Sequence, residues 1–166
     1  MKNLIIEELK EEHLPQVLDI YTYYVINSTA TFHKHIPAID EMRDIVFFDN
    51  DRHKSYIIKD GGAVCGYAIL AKYGKREAYD NTAEVTVYLS NDCIGKGIGS
   101  EAVSFLEEAA KEKGFHALIA IICGENDKSI ALFERCGYFK CAHYKQVGMK
   151  FGRLLDVVCY EKIINE

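Results

Sequence analysis

Apolar residues recur along this chain with two different periods, and the switches between them mark the secondary-structure elements. Leu4 to Glu7 reads as a short strand. From Lys10 to Ile26 the apolar positions Leu14, Val17, Leu18, Tyr21, Tyr24 and Val25 fall three and four apart, the spacing of an amphipathic helix. A loop through Ser28-Thr29-Ala30-Thr31-Phe32 and Pro37 follows. Asp40-Glu41 then suit the first turn of a second helix, about Ile39 to Asn50, because carboxylates are favoured at the positive end of the helix dipole. Ser55 to Lys59 and Val64 to Tyr73, joined by Asp60-Gly61-Gly62, read as a hairpin, and Thr82 to Ser90 as a further long strand.

Past a glycine turn, Ile98, Ala102, Phe105, Leu106, Ala109 and Ala110 line one face of a helix that Gly114 ends, while Glu101, Glu107, Glu108 and Lys111 line the other. Ala117 to Cys123 is unbroken apolar sequence of strand length, which suits a central strand covered on both faces. Asn126 or Asp127 caps a short helix through Arg135, and Gly137 closes it. Lys140 to Val147 and Phe151 to Lys162 read as two strands turning near Gly148. The order predicts a mixed α/β fold, with one central sheet of about seven strands and helices on its faces.

Composition narrows the function classes. At 166 residues, 49% hydrophobic and 27% charged, the chain has the material for one core, so a single domain over residues 1–166 is expected. No segment approaches the ~20 apolar residues of a membrane span and the start lacks a signal-peptide pattern, so a cytoplasmic protein is expected, with no membrane partner. A formal charge of −5 argues against nucleic acid as a partner. The six cysteines show no C-x-x-C pair and read as buried reduced thiols. His33 and His35 form an H-x-H without further ligands nearby, so no metal site is expected.

The chemistry concentrates in one stretch, the strand Glu84 to Ser90, then Gly95-Lys96-Gly97-Ile98-Gly99-Ser100, then a helix. Glycines at such a junction let an oxyanion approach the backbone, and the first N–H groups of the helix supply the positive end of the dipole. More than one phosphate ligand fits that pattern. A dinucleotide fingerprint needs G-x-G-x-x-G where this chain has G-x-G-x-G, and a P-loop needs Ser or Thr after Lys96, where Gly97 stands. A G-x-G-x-G by itself is weak evidence, since glycines at a turn are often only turn glycines, and it leaves the ligand open.

Ala83-Glu84-Val85-Thr86-Val87-Tyr88-Leu89-Ser90, the glycine turn, Glu125-Asn126-Asp127-Lys128-Ser129-Ile130-Ala131-Leu132 and Cys136-Gly137-Tyr138 resemble the successive motifs of the GNAT acetyltransferases. Ser28-Thr29-Ala30-Thr31-Phe32 and Val147-Gly148-Met149-Lys150-Phe151-Gly152-Arg153-Leu154-Leu155-Asp156 resemble the phosphinothricin N-acetyltransferase branch. The resemblance implies acetyl-CoA as co-substrate, with its pyrophosphate on the backbone of Gly95, Lys96, Gly97, Ile98, Gly99 and Ser100. Its pantetheine would lie along Val87, Tyr88 and Leu89, with Asn126 as a further contact. It implies transfer of acetyl to the amine of a small amino-acid-like acceptor, of the phosphinothricin or methionine sulfoximine type, and a homodimer. The rival reading is a non-catalytic acyl-CoA sensor.

For the chemistry, Glu84 is the candidate base. It is a lone carboxylate in an apolar, β-branched strand, at the position of the branch's catalytic glutamate; solvation, or pairing with Arg76, is the alternative. A glutamate near pKa ~4.3 and an α-amine near ~8 differ by roughly 4 units, or ~5 kcal/mol, and burial can raise a carboxylate by ~3 units. A backbone N–H near Val87 would face the developing oxyanion. The His or Tyr acid usual in the branch is replaced by Phe133, leaving Tyr138 as the fallback proton donor. A thiol near pKa ~8.5 leaves as an anion at a cost of only ~2 kcal/mol, so a dedicated acid is dispensable. In the acceptor segment Gly74 stands where the branch has an arginine. Lys75 and Arg76 could hold a substrate carboxylate, with Phe32, Tyr79 and Lys150 as pocket walls.

Overall fold

A computed structural model describes residues 3–165; Met1, Lys2 and Glu166, part of the expected 1–166 domain, lie outside the described residues. Seven strands form one sheet in the order β1-β2-β3-β4-β5-β7-β6. They are β1 (Leu4–Glu8), β2 (Lys54–Asp60), β3 (Ala63–Lys72), β4 (Thr82–Leu89), β5 (Ala117–Cys123), β6 (Phe139–Lys150) and β7 (Arg153–Ile163). The helices are α1 (Leu14–Asn27), α2 (Ile39–Val46), α3 (Ile98–Glu112) and α4 (Asp127–Arg135). All neighbouring strands are antiparallel except β4 and β5.

Alternation along β2 and β3 divides the core in two, as expected for a sheet with helices on both faces. Ile58, Ala68 and Leu70 face α3, where Ala102, Val103, Leu106, Phe115 and Leu118 join them. Ile57, Tyr67 and Ile69 face the other way, onto Leu14, Val17, Tyr21 and Val25 of α1 and Met42 and Val46 of α2. Truncating a fully buried leucine such as Leu70 or Leu106 in such a core costs about 2–5 kcal/mol. No helix among the described residues is long and apolar enough to cross a membrane.

Three boundaries depart from the sequence reading by more than one residue, each for a local reason. The first helix begins at Leu14, because Lys10 N–H is taken by His13 Nδ1 at 3.0 Å and a 3₁₀ turn, Glu11–His13, precedes Pro15. The second helix stops at Val46, where Phe47 turns extended and the Asn50 side chain accepts the N–H groups of Arg52 and His53. Gly148 is not the hairpin turn. The strand bulges between Tyr144 and Gly148, Asp156 takes up Gln146 N–H and the His143 ring, and the chain reverses at Phe151-Gly152, both with positive φ as a two-residue turn requires. All six cysteines are free, but only Cys65 and Cys123 are buried and Cys141 is exposed.

Candidate active site

The two parallel strands part company. Pairing between β4 and β5 is confined to Thr82↔Ala117, Ala83↔Leu118 and Glu84↔Ile119, after which the strands splay. A cleft of about 870 Å³ opens between Val85 to Leu89 on one side and Ala120 to Ile122 on the other. From Val85 onward the edge of β4 facing the cleft has no strand partner. Ile121, 48% exposed in a strand otherwise buried, lines the opening.

At the wide end of the cleft stands the glycine turn. Gly95 and Gly97 have φ of 81° and 80°, a conformation other residues rarely adopt, and Gly97 is the N-cap of α3. A Cβ on Gly95 would meet nothing within 4 Å, so the approach is open. The first N–H groups of α3 have no intrahelical acceptor and point toward this end. Gly95, Gly97, Gly99 and Ser100 line the cleft, while the Ile98 side chain is buried in the core and Lys96 is exposed outside the lining. Asn126 caps α4, its Oδ1 accepting Ser129 N–H at 3.2 Å, and also lines the cleft.

Lys128 and Arg135 are cleft-lining cations that belong together, seven residues apart on one face of α4. The sequence offers Lys128, with Lys96, as a local cation for an anionic cofactor, but Arg135 is passed over, because a cation in the last turn of a helix also reads as an ordinary dipole partner. The 128–135 spacing was the available signal. Tyr24 and Asn27, at the end of α1, were missed as well; Tyr24 hydroxyl donates to Leu89 O at the end of β4.

Glu84 stands at the last paired position before the splay, one residue before Val85, where the cleft lining on β4 begins, and is not itself among the lining residues. Its side chain is half-buried on the same face of β4 as Thr86 and Tyr88, and burial pushes its carboxyl above the ordinary glutamate range. Among the described residues it has neither a hydrogen bond nor an ion pair, and Arg76 is exposed in the β3–β4 connection. Pairing with Arg76 is therefore not its state in this structure, and its part-exposed carboxylate has only solvent to meet it.

Tyr138 requires a correction. Its ring packs edge to face on Phe133 at 5.0 Å in the α3-side core, and Phe133, not Tyr138, lines the cleft. Burial, with the Glu107 carboxylate nearby, pushes its phenol far up, which suits packing rather than proton delivery into the cleft.

Lys150 is corrected too. It is 2% exposed, and Nζ donates to the backbone oxygens of Ser28 (2.6 Å), Thr31 (2.8 Å) and Tyr24 (3.4 Å), so its charge faces backbone rather than a substrate space. Phe32 lies against β6 at Gly148, where any Cβ would come within 2.4 Å of its ring. Tyr79 packs edge to face on Tyr73 at 5.4 Å and covers Gly74, whose Cβ would come within 2.6 Å of that ring. The arginine expected at position 74 has no room while Tyr79 sits there. Lys75, Arg76 and Tyr79 are exposed on that connection, away from the cleft lining. His33 and His35 lie edge to face, and His33 Nδ1 is hydrogen-bonded to Tyr21 hydroxyl.

The profile of the Acetyltransferase (GNAT) family matches residues 16–138 of the chain. The chain is 34% identical over 148 residues to the L-methionine sulfoximine/L-methionine sulfone acetyltransferase of Pseudomonas aeruginosa, covering 87% of this chain and 85% of that one. It is 31% identical over 159 residues to the phosphinothricin N-acetyltransferase of Alcaligenes faecalis, covering 95% and 81%. The crystal structure of a phosphinothricin acetyltransferase from Sinorhizobium meliloti in complex with acetyl-CoA superposes with a TM-score of 0.93 at 30% identity, covering 98% of this chain and 89% of that one.

Proposed function

The chain belongs to the GNAT acetyltransferase family, and from that premise we propose that residues 1–166 form one cytoplasmic enzyme domain that acetylates the amine of a small amino-acid-like acceptor. The relatives named for phosphinothricin and methionine sulfoximine make those compounds the first acceptors to try. The observation that carries the reading is the cleft itself, with a glycine-capped helix at its wide end and an unpaired strand edge along its side; the ion-pair-free Glu84 carboxyl stands at the strand pair just before it opens.

The residues present fit acetyl-CoA, which would supply the acetyl group as a thioester. Backbone N–H groups from Gly95 to Ser100 would take its pyrophosphate, with Lys128 and Arg135 adding positive charge from α4 and Lys96 from the turn. This is how a protein of net charge −5 can hold an anion. The open edge of β4 over Val87, Tyr88 and Leu89 suits the extended amide-bearing arm, and Asn126 lies beside it. Glu84 acts as base. Its raised proton affinity narrows the gap to the incoming ammonium, which must lose a proton before its nitrogen can attack. Direct attack in a ternary complex is favoured, since none of the six cysteines lines the cleft. Lys75, Arg76, Phe32 and Tyr79 lie outside the cleft lining, and their proposed place on the acceptor side rests on the resemblance to the phosphinothricin branch alone.

Phe133 supports a second reading, a non-catalytic acyl-CoA sensor, because an aromatic ring with no transferable proton stands where the branch has an acid. Thiol release from acetyl-CoA, followed across a panel of amines that includes phosphinothricin and L-methionine sulfone, separates the two. Release with one amine class supports the enzyme and names the acceptor; binding of acetyl-CoA without release for any amine supports the sensor. A homodimer is also proposed, through the edge strand β6, which is twelve residues long and carries exposed Tyr144, Val147 and Met149 beside Leu154 of β7.

A further inference from the structure

Two cations of the β6–β7 hairpin point inward, onto the segment that follows α1. Lys150 and Arg153 are register partners on either side of the Phe151-Gly152 turn. Lys150 Nζ reaches the carbonyls of Ser28, Thr31 and Tyr24, the last of which belongs to the final turn of α1, where the helix dipole is negative. An ammonium has three N–H donors, so these three bonds use all of them and leave none for a substrate. Arg153 makes a two-pronged contact with Glu125 at 2.8 and 2.9 Å, and Glu125 in turn accepts the Thr29 hydroxyl at 2.6 Å. One four-residue segment, Ser28 to Thr31, is thus tied from two directions.

That segment is a wall of the cleft. Ser28 and Ala30 line it, and Ala30 O accepts the hydroxyl of Tyr88 from β4 at 3.2 Å. Thr31 continues the network through Tyr21 hydroxyl at 2.6 Å. Lys150 sits one layer behind, buried, touching the wall through its backbone.

We infer that Lys150 is a positioning residue: its ammonium holds Ser28 to Thr31 in place as the acceptor-side wall of the cleft, and it does not bind substrate. The inference rests on the proposed acetyltransferase reading for which ligand the wall serves, but not for the clamp itself. Removing the charge leaves the carbonyls of Ser28 and Thr31 without this donor, while Tyr24 O keeps the Ser28 N–H, and the segment regains the freedom of a surface loop. The glycine cradle, across the cleft and on other elements, keeps its geometry.

The test uses Lys150→Met, which keeps the stem and removes the donors, with Lys150→Arg as a conservative partner and Thr29→Val to cut the second tether alone. Hydrogen exchange of the amides from Thr29 to His33 in the full-length protein without substrate should accelerate about tenfold or more in Lys150→Met, with α3 and β5 unchanged. Lys150→Arg should restore part of the protection, and Thr29→Val should lose less. With L-methionine sulfone as acceptor, its KM should rise about tenfold while the KM for acetyl-CoA stays within about twofold. A rise in acceptor KM with unchanged exchange would overturn the inference in favour of direct substrate contact. Exchange that accelerates throughout the sheet would overturn it in favour of a purely structural role. Should Lys150→Met not fold, the same two readouts on Lys150→Arg and Thr29→Val decide. A wild-type protein that turns over no amine would sink the functional reading, and the exchange comparison would still decide whether the clamp exists.

Discussion

Glu84 derives its proton affinity from its place on β4, half-buried at the last position paired with β5 with no cation to stabilise its charge. Activity should therefore fall with acidity at a pH above the ordinary glutamate value of 4.5, since the base must be ionised to work. In Glu84→Gln that limb of the kcat/KM profile should disappear and kcat should drop about 10²- to 10³-fold, with little change in acetyl-CoA affinity. An unaltered profile would remove Glu84 as the base. Stability should move the other way. A carboxyl whose folded pKa lies above its unfolded value contributes stability below the unfolded pKa and loses it as pH rises through the folded one. The Gln variant should then unfold at slightly higher temperature than wild type at neutral pH. Phe133 and Tyr138 show the limit of reading residues singly. Both are aromatic residues near one another in sequence, and packing alone put the hydroxyl-free ring at the cleft wall and the phenol behind it in the core.

Among the elements, α4 and the β6–β7 hairpin carry the clearest consequences. Lys128 and Arg135 share the cleft-facing side of α4, so Arg135→Gln and Lys128→Gln should each raise the KM for acetyl-CoA, about threefold to tenfold at low salt, with kcat preserved. A lowered kcat with unchanged KM would place both outside the phosphate contacts. The Arg153 guanidinium and the Thr29 hydroxyl hold the Glu125 carboxyl down at about 2. Its folded pKa is depressed, so its stabilisation is present above pH 4.5 and is lost as pH falls toward 2. Both partners of the ion pair are well exposed, at 41% for Glu125 and 54% for Arg153, which limits the contribution to about 1 kcal/mol. Urea unfolding of Glu125→Gln should show that deficit at pH 7 and converge on wild type as the pH approaches 2. Most element boundaries were legible because each run carried its own period and its own cap. The three that shifted did so through the side chains of His13, Asn50 and Asp156, which accept backbone N–H groups that a periodic pattern assigns elsewhere.

At the scale of the whole molecule, the sheet joins both halves of the proposed chemistry. Pairing of β4 with β3 along its full length keeps one edge rigid, while early separation from β5 opens the other. The outer edge of the sheet is β6, where Val147 is 61% exposed among other apolar side chains. If this face joins two copies, sedimentation at micromolar concentration should give twice the monomer mass, and Val147→Glu with Leu154→Glu should reduce it to one. A wild-type protein that sediments as a monomer would discard the dimer.

The sequence by itself determined the order of elements, the two-sided sheet and the glycine-capped α3, because each depends on local periodicity or on backbone conformations that few residues adopt; it left the cap of α4 between Asn126 and Asp127, and the structure gives it to Asn126. It also placed Glu84 on a strand whose other residues are apolar or β-branched. Only the tertiary structure decided which charges remain available to a substrate. Lys150 and Arg153 read alike as cations near the end of the chain, yet both are engaged with segments more than twenty-five residues distant, at Ser28 to Thr31 and at Glu125. Charge is written in a residue type, but whether that charge is already neutralised depends on long-range contacts, and those form only when the sheet brings distant segments together.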